Sequence, residues 1–502
     1  MVAQIITFAF QGIQVTEVEV QAHIASGLPA FNIVGLPDKT VAESKERIRA
    51  AFSSIALALP AKRITINLAP ADLFKEGSHY DLPIALGILV AMEIIPQDIV
   101  SNFLVAGELA LNGSIMNVNG ILPAAIYAND NNNGIICPDS NGAEACWAGE
   151  MPIISTTSLL ELINHFKGHQ IIDSPKKPEI SQNKPPYYND LEDIKGQKMA
   201  KRALEIAAAG AHNMLMIGPP GSGKSMLASC LPGLIPTMDS QEILETSMIK
   251  SVSGQIKKGL ISQYRAFRAP HHSCSMAAMI GGGRNAKPGE ISLAHAGVLF
   301  LDELPEYNRS VLDSLRQPVE NGYVTVARAN AHVTYPANFQ LIAAMNPCKC
   351  GYLSDADRAC NKAPICSKQY LNKISGPLID RFDMVIEVGA VDFLSHDIET
   401  QSENSATVKQ RIMHARQKQE SRYQHNTVKV NSEVSGEILL NSCNMDDECK
   451  KFIKDAAQKL NLSMRGYHRI LRVSRTIADL ENAPNVGISQ IKETLAYRMP
   501  VI

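Results

Sequence analysis

Eight residues from 218 to 225 have the types and spacing of a phosphate-binding loop. They follow an apolar run and precede a segment of helix formers, and in order they are Gly218, Pro219, Pro220, Gly221, Ser222, Gly223, Lys224 and Ser225. Glycines let the backbone approach phosphates and point its N–H groups inward, and the dipole of a following helix adds a favourable field. In this motif the lysine reaches the β- and γ-phosphates of a nucleotide, and the last hydroxyl binds Mg²⁺. The loop therefore predicts a site for ATP and Mg²⁺, and the alternative is a glycine-rich turn that matches by chance.

Two carboxylates at the end of an apolar run supply the second part of this chemistry. Asp302 and Glu303 directly follow Val298–Leu301, as in the Walker B segment of P-loop NTPases. We expect Asp302 to hold Mg²⁺ and Glu303 to polarise the attacking water. A third apolar run ends at Asn346, whose amide could orient the same water. The alternatives are a solvated acidic pair and a turn-forming asparagine.

Length and composition exclude several classes of protein. A chain of 502 residues is expected to form two or three domains, and 45% hydrophobic with 20% charged residues is typical of a folded protein. With 48 basic and 50 acidic residues, no bulk positive field holds nucleic acid or anionic lipid, so any such contact needs a local patch. The longest uncharged apolar run, Leu82–Met92, is well short of the ~20 residues that span a bilayer. We expect a cytoplasmic protein with no membrane contact and with its ten cysteines reduced.

The elements that must position these residues fall into four segments. Residues 1–172 alternate strand-like and helix-like runs, which predicts an α/β or α+β domain. Residues 173–190 collect Pro, Lys, Asn and Ser without periodicity and are interpreted as a linker. Residues 191–391 continue the alternation and predict a mostly parallel sheet covered by helices. Residues 392–502 are rich in helix formers and predict an all-helical domain.

With these motifs in this order, the chain resembles the AAA+ ATPases. In that family the active site lies between subunits and takes an arginine from the neighbour. The segment Gly376–Asp383, with the sequence GPLIDRFD, resembles the family's finger segment. The resemblance gives Arg381 the role of compensating charge on the transferring phosphoryl group. The alternative is a structural salt bridge from Arg381 to Asp383.

A basic segment in the tail resembles the AAA+ lid helix that carries the sensor-2 arginine. This segment is Ser463–Arg472, with the sequence SMRGYHRILR. The resemblance favours Arg465, at the start of the helix, over Arg469. The alternative is a solvated basic face of an exposed helix.

The stretch between the two nucleotide motifs resembles a narrower branch, the magnesium-chelatase-like AAA+ proteins. It contains RAPHHSCS at 268–275 and GGGRNAKPGEISLAHAGVLFLDEL at 281–304. The best match over essentially the whole chain is the ComM/YifB family. The resemblance implies a hexameric ring with helicase activity that drives DNA branch migration in natural transformation and homologous recombination.

Within this branch, the function and the two adjacent histidines need separate interpretation. A chelatase-type motor, which remodels a protein partner for metal insertion into a tetrapyrrole, has the same ATPase site and is the alternative function. His271 and His272 have no carboxylate or cysteine at ligand spacing, so we expect a packing or capping role for both.

A candidate contact with DNA follows the Walker B strand. Residues 320–335 hold two β-patterned runs around a tip of small residues, which predicts a hairpin. It resembles the pre-sensor hairpin that this clade projects into the pore of its ring. Arg328 near the tip, and Arg284 and Lys287 in the Gly-rich insert, could bind phosphates of single-stranded, branched or duplex DNA. The alternative is a hairpin that only spaces the subunits.

The N-terminal segment resembles the C-terminal, proteolytic domain of Lon, an S5 domain 2-like α+β fold. The resemblance rests on Lys75–Asp81 and Gly107–Leu122. A Lon-like protease is therefore a further alternative, because Lon uses a Ser–Lys dyad. Leu122 or Pro123 stands where the Lon lysine aligns, and Ser78 could act only with a base from elsewhere. We interpret this domain as a proteolytically inactive scaffold for ring assembly or DNA contact.

Four of the ten cysteines lie close together just after Asn346. They are Cys348, Cys350, Cys360 and Cys366. Tetrahedral Zn²⁺ takes four thiolates, and such a site could supply folding energy to a short segment with no obvious core. The ComM/YifB resemblance includes a Cys-rich insert here, in which the last two cysteines stand closer together. Zinc binding, reduced structural thiols and redox chemistry are the three interpretations.

Overall fold

The structure is a computed structural model. It describes residues 2–178, 189–283, 286–328, 331–351, 353, 365–389, 403–426 and 428–498. No helix in these ranges is long and apolar enough to cross a membrane. The predicted boundaries at 172, 190 and 391 stay predictions. Residues 179–188 and 390–402, near these boundaries, lie outside the described residues.

The N-terminal part is an α/β unit around a seven-stranded mixed sheet. Its elements are β1 (Val2–Gln11), β2 (Gln14–Ala25), β3 (Ala30–Val34), α1 (Lys39–Ser54), β4 (Arg63–Ala69), α2 (Asp81–Ala91), α3 (Gln97–Val100), β5 (Phe103–Val105), β6 (Glu108–Leu109), β7 (Ile115–Met116), α4 (Ile121–Asp130), β8 (Gly134–Pro138), α5 (Asp139–Ala145), β9 (Ile153–Thr156) and α6 (Leu159–Phe166). The strand order is β3-β4-β2-β1-β5-β8-β9. β2 pairs antiparallel with β1 and β4, and the other four pairings are parallel. This unit is compatible with the Lon-like fold that the resemblance implied.

Helix α2 forms the centre of this unit because it is apolar on every side. All residues from Asp81 to Val90 are buried, and the helix packs on β1 and β2 and against α1. The buried carboxylate of Asp81 is neutralised by Arg47, whose Nε and Nη2 donate to it at 2.6 and 2.8 Å. The Leu109 N–H adds a third donor at 3.1 Å. The segment Lys75–Asp81, on which the resemblance to Lon rests, thus ends in a structural ion pair.

The central part contains the five-stranded parallel sheet. Its elements are α7 (Lys198–Gly210), β10 (Met214–Ile217), α8 (Lys224–Leu234), α9 (Ser240–Val252), β11 (Phe267–Arg268), α10 (Met276–Ile280), β12 (Gly281–Gly282), β13 (Lys287–Pro288), α11 (Glu290–Leu293), β14 (Val298–Leu301), α12 (Arg309–Ser314), α13 (Arg316–Asn321), β15 (Tyr323–Arg328), β16 (Ala331–Pro336), β17 (Gln340–Met345), α14 (Ile365–Leu371), α15 (Gly376–Ile379) and β18 (Met384–Glu387). The order β11-β14-β17-β10-β18 is parallel throughout. Every residue of β14 and β17 is buried, as expected for central strands covered on both faces. The predicted parallel-sheet core is confirmed.

The described part of the C-terminal tail is helical. Its helices are α16 (Ser405–Tyr423), α17 (Gly436–Cys443), α18 (Asp447–Lys459), α19 (Met464–Leu480) and α20 (Ile488–Ala496). Helix α19 packs on α7 of the central part. Inside the tail, Arg422 and Arg475 both donate to the fully buried Asp479, so that carboxylate is fully compensated. The predicted helical lid is confirmed.

The N-terminal unit contacts the central part at several places, among them α9, the hairpin and the segment after α9, where Trp147 Nε1 donates to Gly259 O at 2.8 Å. At α9, the Gly120 N–H donates to Ser251 O at 3.1 Å, and Ser251 Oγ donates to Glu144 Oε1 at 2.5 Å. At the hairpin β15–β16, the turn after β1 lies so close that a Cβ added to Gly12 would be 2.9 Å from Val333. The predicted DNA hairpin is therefore in direct contact with the N-terminal unit.

Candidate nucleotide site

The loop between β10 and α8 has the backbone of a phosphate cradle. Gly221 and Gly223 have left-handed φ angles of +78° and +86°, which favour glycine, and an added Cβ at either meets nothing within 4 Å. Gly218 is needed for a different reason, because its Cβ would lie 2.2 Å from Val388 O. The loop is thus fixed at its base and open above, as the predicted site for nucleotide phosphates requires.

Lys224 lies over this loop. Its Nζ donates to Gly218 O at 2.9 Å and to Pro219 O at 2.8 Å, and it is 3.5 Å from Asn346 Oδ1. Burial lowers the pKa of Lys224, and the charge of Asp302 opposes that shift. The loop lysine and the strand-end amide, which the sequence proposed for the phosphates and for the attacking water, therefore lie side by side.

The predicted magnesium ligands are also neighbours. Ser225 Oγ donates to Asp302 Oδ2 at 2.8 Å across the gap between α8 and β14. A hydroxyl and a carboxylate are oxygen ligands that Mg²⁺ accepts together with water and phosphate. The side chains present therefore fit a magnesium ion at this edge of the sheet.

Glu303 occupies a strained position beside Asp302. Its φ is +51°, uncommon for a residue with a side chain, and its N–H donates to Asp302 Oδ1 at 2.9 Å. Its Oε2 lies 3.1 Å from Nδ1 of His272, which follows the edge strand β11. Strain of this kind concentrates at functional sites because the surrounding structure must enforce it.

Sequence reasoning missed the role of His272. The expected capping role fits His271, whose Nδ1 pairs with Ser273 Oγ at 2.7 Å and accepts from Ser273 N at 3.3 Å. His272 instead contacts the carboxylate of Glu303, 31 positions further along the chain. The adjacent pair HH was the available signal, but only the parallel pairing of β11 with β14 brings the second imidazole to the Walker B carboxylates.

Replacement of His272 by alanine is expected to raise ATP hydrolysis in the absence of DNA. The imidazole holds Glu303 toward the edge strand, on the side of β14 away from the nucleotide loop. Loss of a partly exposed ion-pair contact worth up to ~1 kcal/mol corresponds to at most about a fivefold change in rate. Steady-state ATPase assays measure the effect, and His271→Ala is the matched control. A lower rate in His272→Ala than in wild type would show that His272 supports Glu303 rather than restrains it.

The predicted finger arginine is held inside its own chain. Arg381 donates from Nε to Arg316 O at 2.9 Å and from Nη1 to Pro377 O at 2.7 Å, and its Nη2 pairs with Glu320. The alternative suggested by the sequence was a salt bridge from Arg381 to Asp383. It is not among the contacts of the described residues. Asp383 instead accepts from the Asn213 N–H at 3.1 Å. The negative charge that balances Arg381 therefore comes from Glu320 in α13.

The predicted sensor-2 arginine meets the same carboxylate. Arg465 lies at the start of α19, and its Nη2 donates to Glu320 Oε1 at 3.1 Å. Arg469 donates to Phe382 O at 2.7 Å and to Asp380 at 3.3 Å. Glu320, which sequence reasoning did not single out, thus joins the finger segment to the lid directly before the hairpin begins.

The candidate DNA residues have different outcomes. The hairpin is confirmed, with β15 and β16 antiparallel from Tyr323 opposite Pro336 to Arg328 opposite Ala331. Arg284 and the side chain of Arg328 lie outside the described residues. Lys287 is exposed on β13 beside the N-terminal unit, where burial raises the pKa of Glu76 to about 7 against the effect of the Lys287 charge.

The N-terminal unit pairs Ser78 with a carboxylate. Ser78 Oγ donates to Glu108 Oε2. Leu122, at the position aligned with the Lon lysine, is fully buried, and its N–H bonds Glu144 at 3.1 Å and Ser251 at 3.3 Å. These contacts favour the scaffold interpretation. The position at which Lon has its lysine base is occupied here by a leucine whose backbone contacts α9.

Three of the four clustered cysteines come together. The sulfurs of Cys348, Cys350 and Cys366 all lie within 4.8 Å of one another. Cys360, the fourth predicted ligand, lies outside the described residues. The wider spacing before Cys366 is therefore compatible with its place in the cluster.

Comparisons with known proteins match all parts of this architecture. The family models described as "Magnesium chelatase, subunit ChlI", "Subunit ChlI of Mg-chelatase" and "Magnesium chelatase, subunit ChlI C-terminal" match residues 190–395, 20–141 and 402–498. Competence protein ComM of Haemophilus influenzae is 42% identical over 499 residues, which are 98% of this chain and 96% of the relative. The protein YifB of Escherichia coli is 40% identical over 494 residues, with the same shares covered.

A magnesium-chelatase subunit is similar over a smaller region. The 38 kDa subunit of Rhodobacter capsulatus is 26% identical over 175 residues, which are 31% of this chain and 49% of the relative. The similarity to ComM and YifB thus extends over the N-terminal unit, the nucleotide site and the tail, whereas this one covers less than a third of the chain.

Proposed function

Because the chain belongs to the ComM/YifB family of magnesium-chelatase-like AAA+ ATPases, we propose that it is an ATP-driven motor that moves on DNA. Family membership implies ATPase activity with ATP and Mg²⁺ and supports a ComM-type function. The finer proposal is a cytoplasmic helicase that drives branch migration during homologous recombination in natural transformation. The observation that carries it is the 42% identity, over nearly the whole length, to a protein named for competence.

Different residues of the site have different roles in ATP hydrolysis. The N–H groups of the loop from Gly218 to Gly223 bind phosphate oxygens, and Lys224 turns from the loop carbonyls to the β- and γ-phosphates. Ser225 and Asp302 would hold Mg²⁺, which when bound would neutralise charge on the phosphates. The open space above the loop is what such binding requires.

Glu303 and Asn346 are proposed to activate the attacking water. Glu303 accepts the proton of that water at its carboxylate, and Asn346 orients the water through its amide. Glu303 must leave His272 for this step, which makes the position of Glu303 a point of control.

We propose that a neighbouring subunit completes the site, which requires assembly into a ring. Arg381 of one subunit is proposed to reach the phosphates bound by the next, in a homo-oligomer of six chains. To do so, Arg381 must exchange Glu320 for phosphate. Since Glu320 also holds Arg465 and precedes the hairpin, that exchange links the state of ATP to the hairpin.

DNA is proposed to contact the hairpin and the Gly-rich insert. Simultaneous replacement of Arg328 and Lys287 by alanine is expected to weaken binding to all sequences alike and to lower the salt slope of log K by about 2. Affinity is measured against salt with branched, single-stranded and duplex DNA and an ATP analogue. The matched control removes Lys39 and Lys450, two exposed lysines paired within their own helices.

The outcomes separate two functions. Absence of DNA affinity in wild type at low salt contradicts the DNA motor and favours the chelatase-type motor that remodels a protein partner. The family models matched to magnesium-chelatase subunits are the observation behind that second candidate. If wild type binds DNA and the double variant binds equally well, the DNA motor stands and its contact lies elsewhere.

A further inference from the structure

The cysteine cluster lies against the nucleotide loop. Cys348 comes two residues after Asn346 and is fully buried. Gly351 has a φ of +86° and approaches the loop so closely that an added Cβ would be 2.6 Å from Pro220 Cδ. The segment after β17 is therefore a wall of the phosphate cradle.

The far end of the same insert is attached to this wall. Helix α14 carries Cys366 in its first turn, and Ser367 Oγ in the same helix donates to Pro347 O at 2.8 Å. Cys366, at the end of the insert, thus lies beside Cys348 and Cys350 at its start. Two separate stretches of chain supply the three sulfurs.

The arrangement of the sulfurs fits a tetrahedral thiolate site. Cys348 Sγ and Cys350 Sγ are 3.0 Å apart, and all three ligand atoms lie within 4.8 Å of one another. Zinc–sulfur bonds of about 2.3 Å in tetrahedral geometry require sulfur separations of roughly 3.8 Å. That separation lies within the 4.8 Å limit on all three pairs, and the sulfurs of Cys348 and Cys350 must move apart by about 0.8 Å to reach it. Thiolate ligands favour zinc over hard cations such as Mg²⁺ and Ca²⁺.

We propose that Cys348, Cys350 and Cys366 bind one Zn²⁺ ion and that this ion fixes the wall of the ATP site through the contact of Gly351 with Pro220. Each cysteine releases its thiol proton to solvent as it binds. The bound ion joins the strand end that carries Asn346 to α14, so the P-loop keeps the conformation that accepts phosphates. The inference rests on the proposed function only in taking the loop as the ATP site.

Metal content of the purified full-length chain is the first test. Elemental analysis is expected to find one zinc per chain in wild type and in Cys274→Ser, which alters a half-buried cysteine outside the cluster. Cys348→Ser and Cys366→Ser are expected to lose most of it. A wild-type chain without zinc, or with two of these cysteines joined as a disulfide, overturns the metal site.

The link to the ATP site is tested by nucleotide affinity. Removal of zinc from wild type with a chelator is expected to weaken binding of a fluorescent ATP analogue about tenfold, which corresponds to about 1.4 kcal/mol, because the loop loses the fixed wall at Gly351. Gly351→Ala is expected to keep its zinc and still weaken nucleotide binding, because its Cβ displaces Pro220. The chelator experiment needs no cysteine variant, so misfolding of such a variant does not decide the result.

The outcomes separate this inference from the proposed function. Full nucleotide affinity in the zinc-free chain overturns the link and leaves the metal site standing. Wild type that holds zinc but binds no nucleotide contradicts both the link and the ATPase. Absence of DNA binding alone contradicts only the DNA motor.

Discussion

Replacement of Arg381 by alanine is expected to lower ATP hydrolysis by ~10³-fold while nucleotide still binds, since an arginine finger contributes about that much or more. The reason is the loss of a positive charge where the transferring phosphoryl group carries its negative charge. In the single chain this guanidinium is satisfied by Glu320 and by two carbonyls, and only 14% of its side chain is exposed. Thermal unfolding must therefore be measured beside activity, so that a loss of structure is not read as a loss of catalysis. Lys373→Ala, which removes a nearby cation paired with Glu306, is the matched control.

A mixing experiment tests whether Arg381 acts on the neighbouring subunit. Arg381→Ala subunits keep an intact P-loop, and Lys224→Ala subunits keep an intact finger. At a hybrid interface the first supplies the loop and the second supplies Arg381, so activity is expected to rise above that of either variant alone. Confirmed mixed assembly with no recovery would count against action between subunits.

Replacement of Glu303 by glutamine is expected to slow hydrolysis by ~10²-fold or more without loss of ATP binding, the scale of losing a general base. Glutamine keeps the size of the side chain and can still contact His272, but its amide cannot accept the proton of the attacking water. Single-turnover hydrolysis and binding of a fluorescent ATP analogue measure the two effects separately.

Glu306→Gln is the control for this substitution, because Glu306 is a nearby carboxylate paired with Lys373 at 3.3 Å. It should leave hydrolysis within a few-fold of wild type, since the loss of a half-exposed ion pair costs little. Near-normal turnover in Glu303→Gln would remove Glu303 from the role of base.

The sequence by itself determined the local elements and the nucleotide motifs. The strand Arg63–Ala69, the two strands of the hairpin within residues 320–335 and the helices of the described part of the tail follow from periodicity within a few residues. The loop from Gly218 to Ser225 is equally local, because its chemistry depends on neighbouring backbone N–H groups and on the helix that follows. A short pattern is enough in such cases, since the residues that interact are close along the chain.

Only the tertiary structure decided which distant side chains meet. His272 reaches Glu303 because β11 pairs in parallel with β14, so both strands end at the same edge of the sheet. Glu320 holds both Arg381 and Arg465 because the finger segment and the lid helix converge on α13. Neither contact leaves a pattern in sequence, because an exposed glutamate or a second histidine looks the same with or without a partner.

The relation between the domains was also decided at this level. Sequence patterns treat the N-terminal unit and the ATPase core as separate runs of strands and helices. The structure joins them through the turn at Gly12, which lies on the hairpin, and through the hydrogen bonds of Glu144 and Leu122 to Ser251. Gly351 against Pro220 is a further case, in which two segments 131 residues apart form one wall. Burial and close approach depend on how whole elements pack, and no short stretch of sequence contains that information.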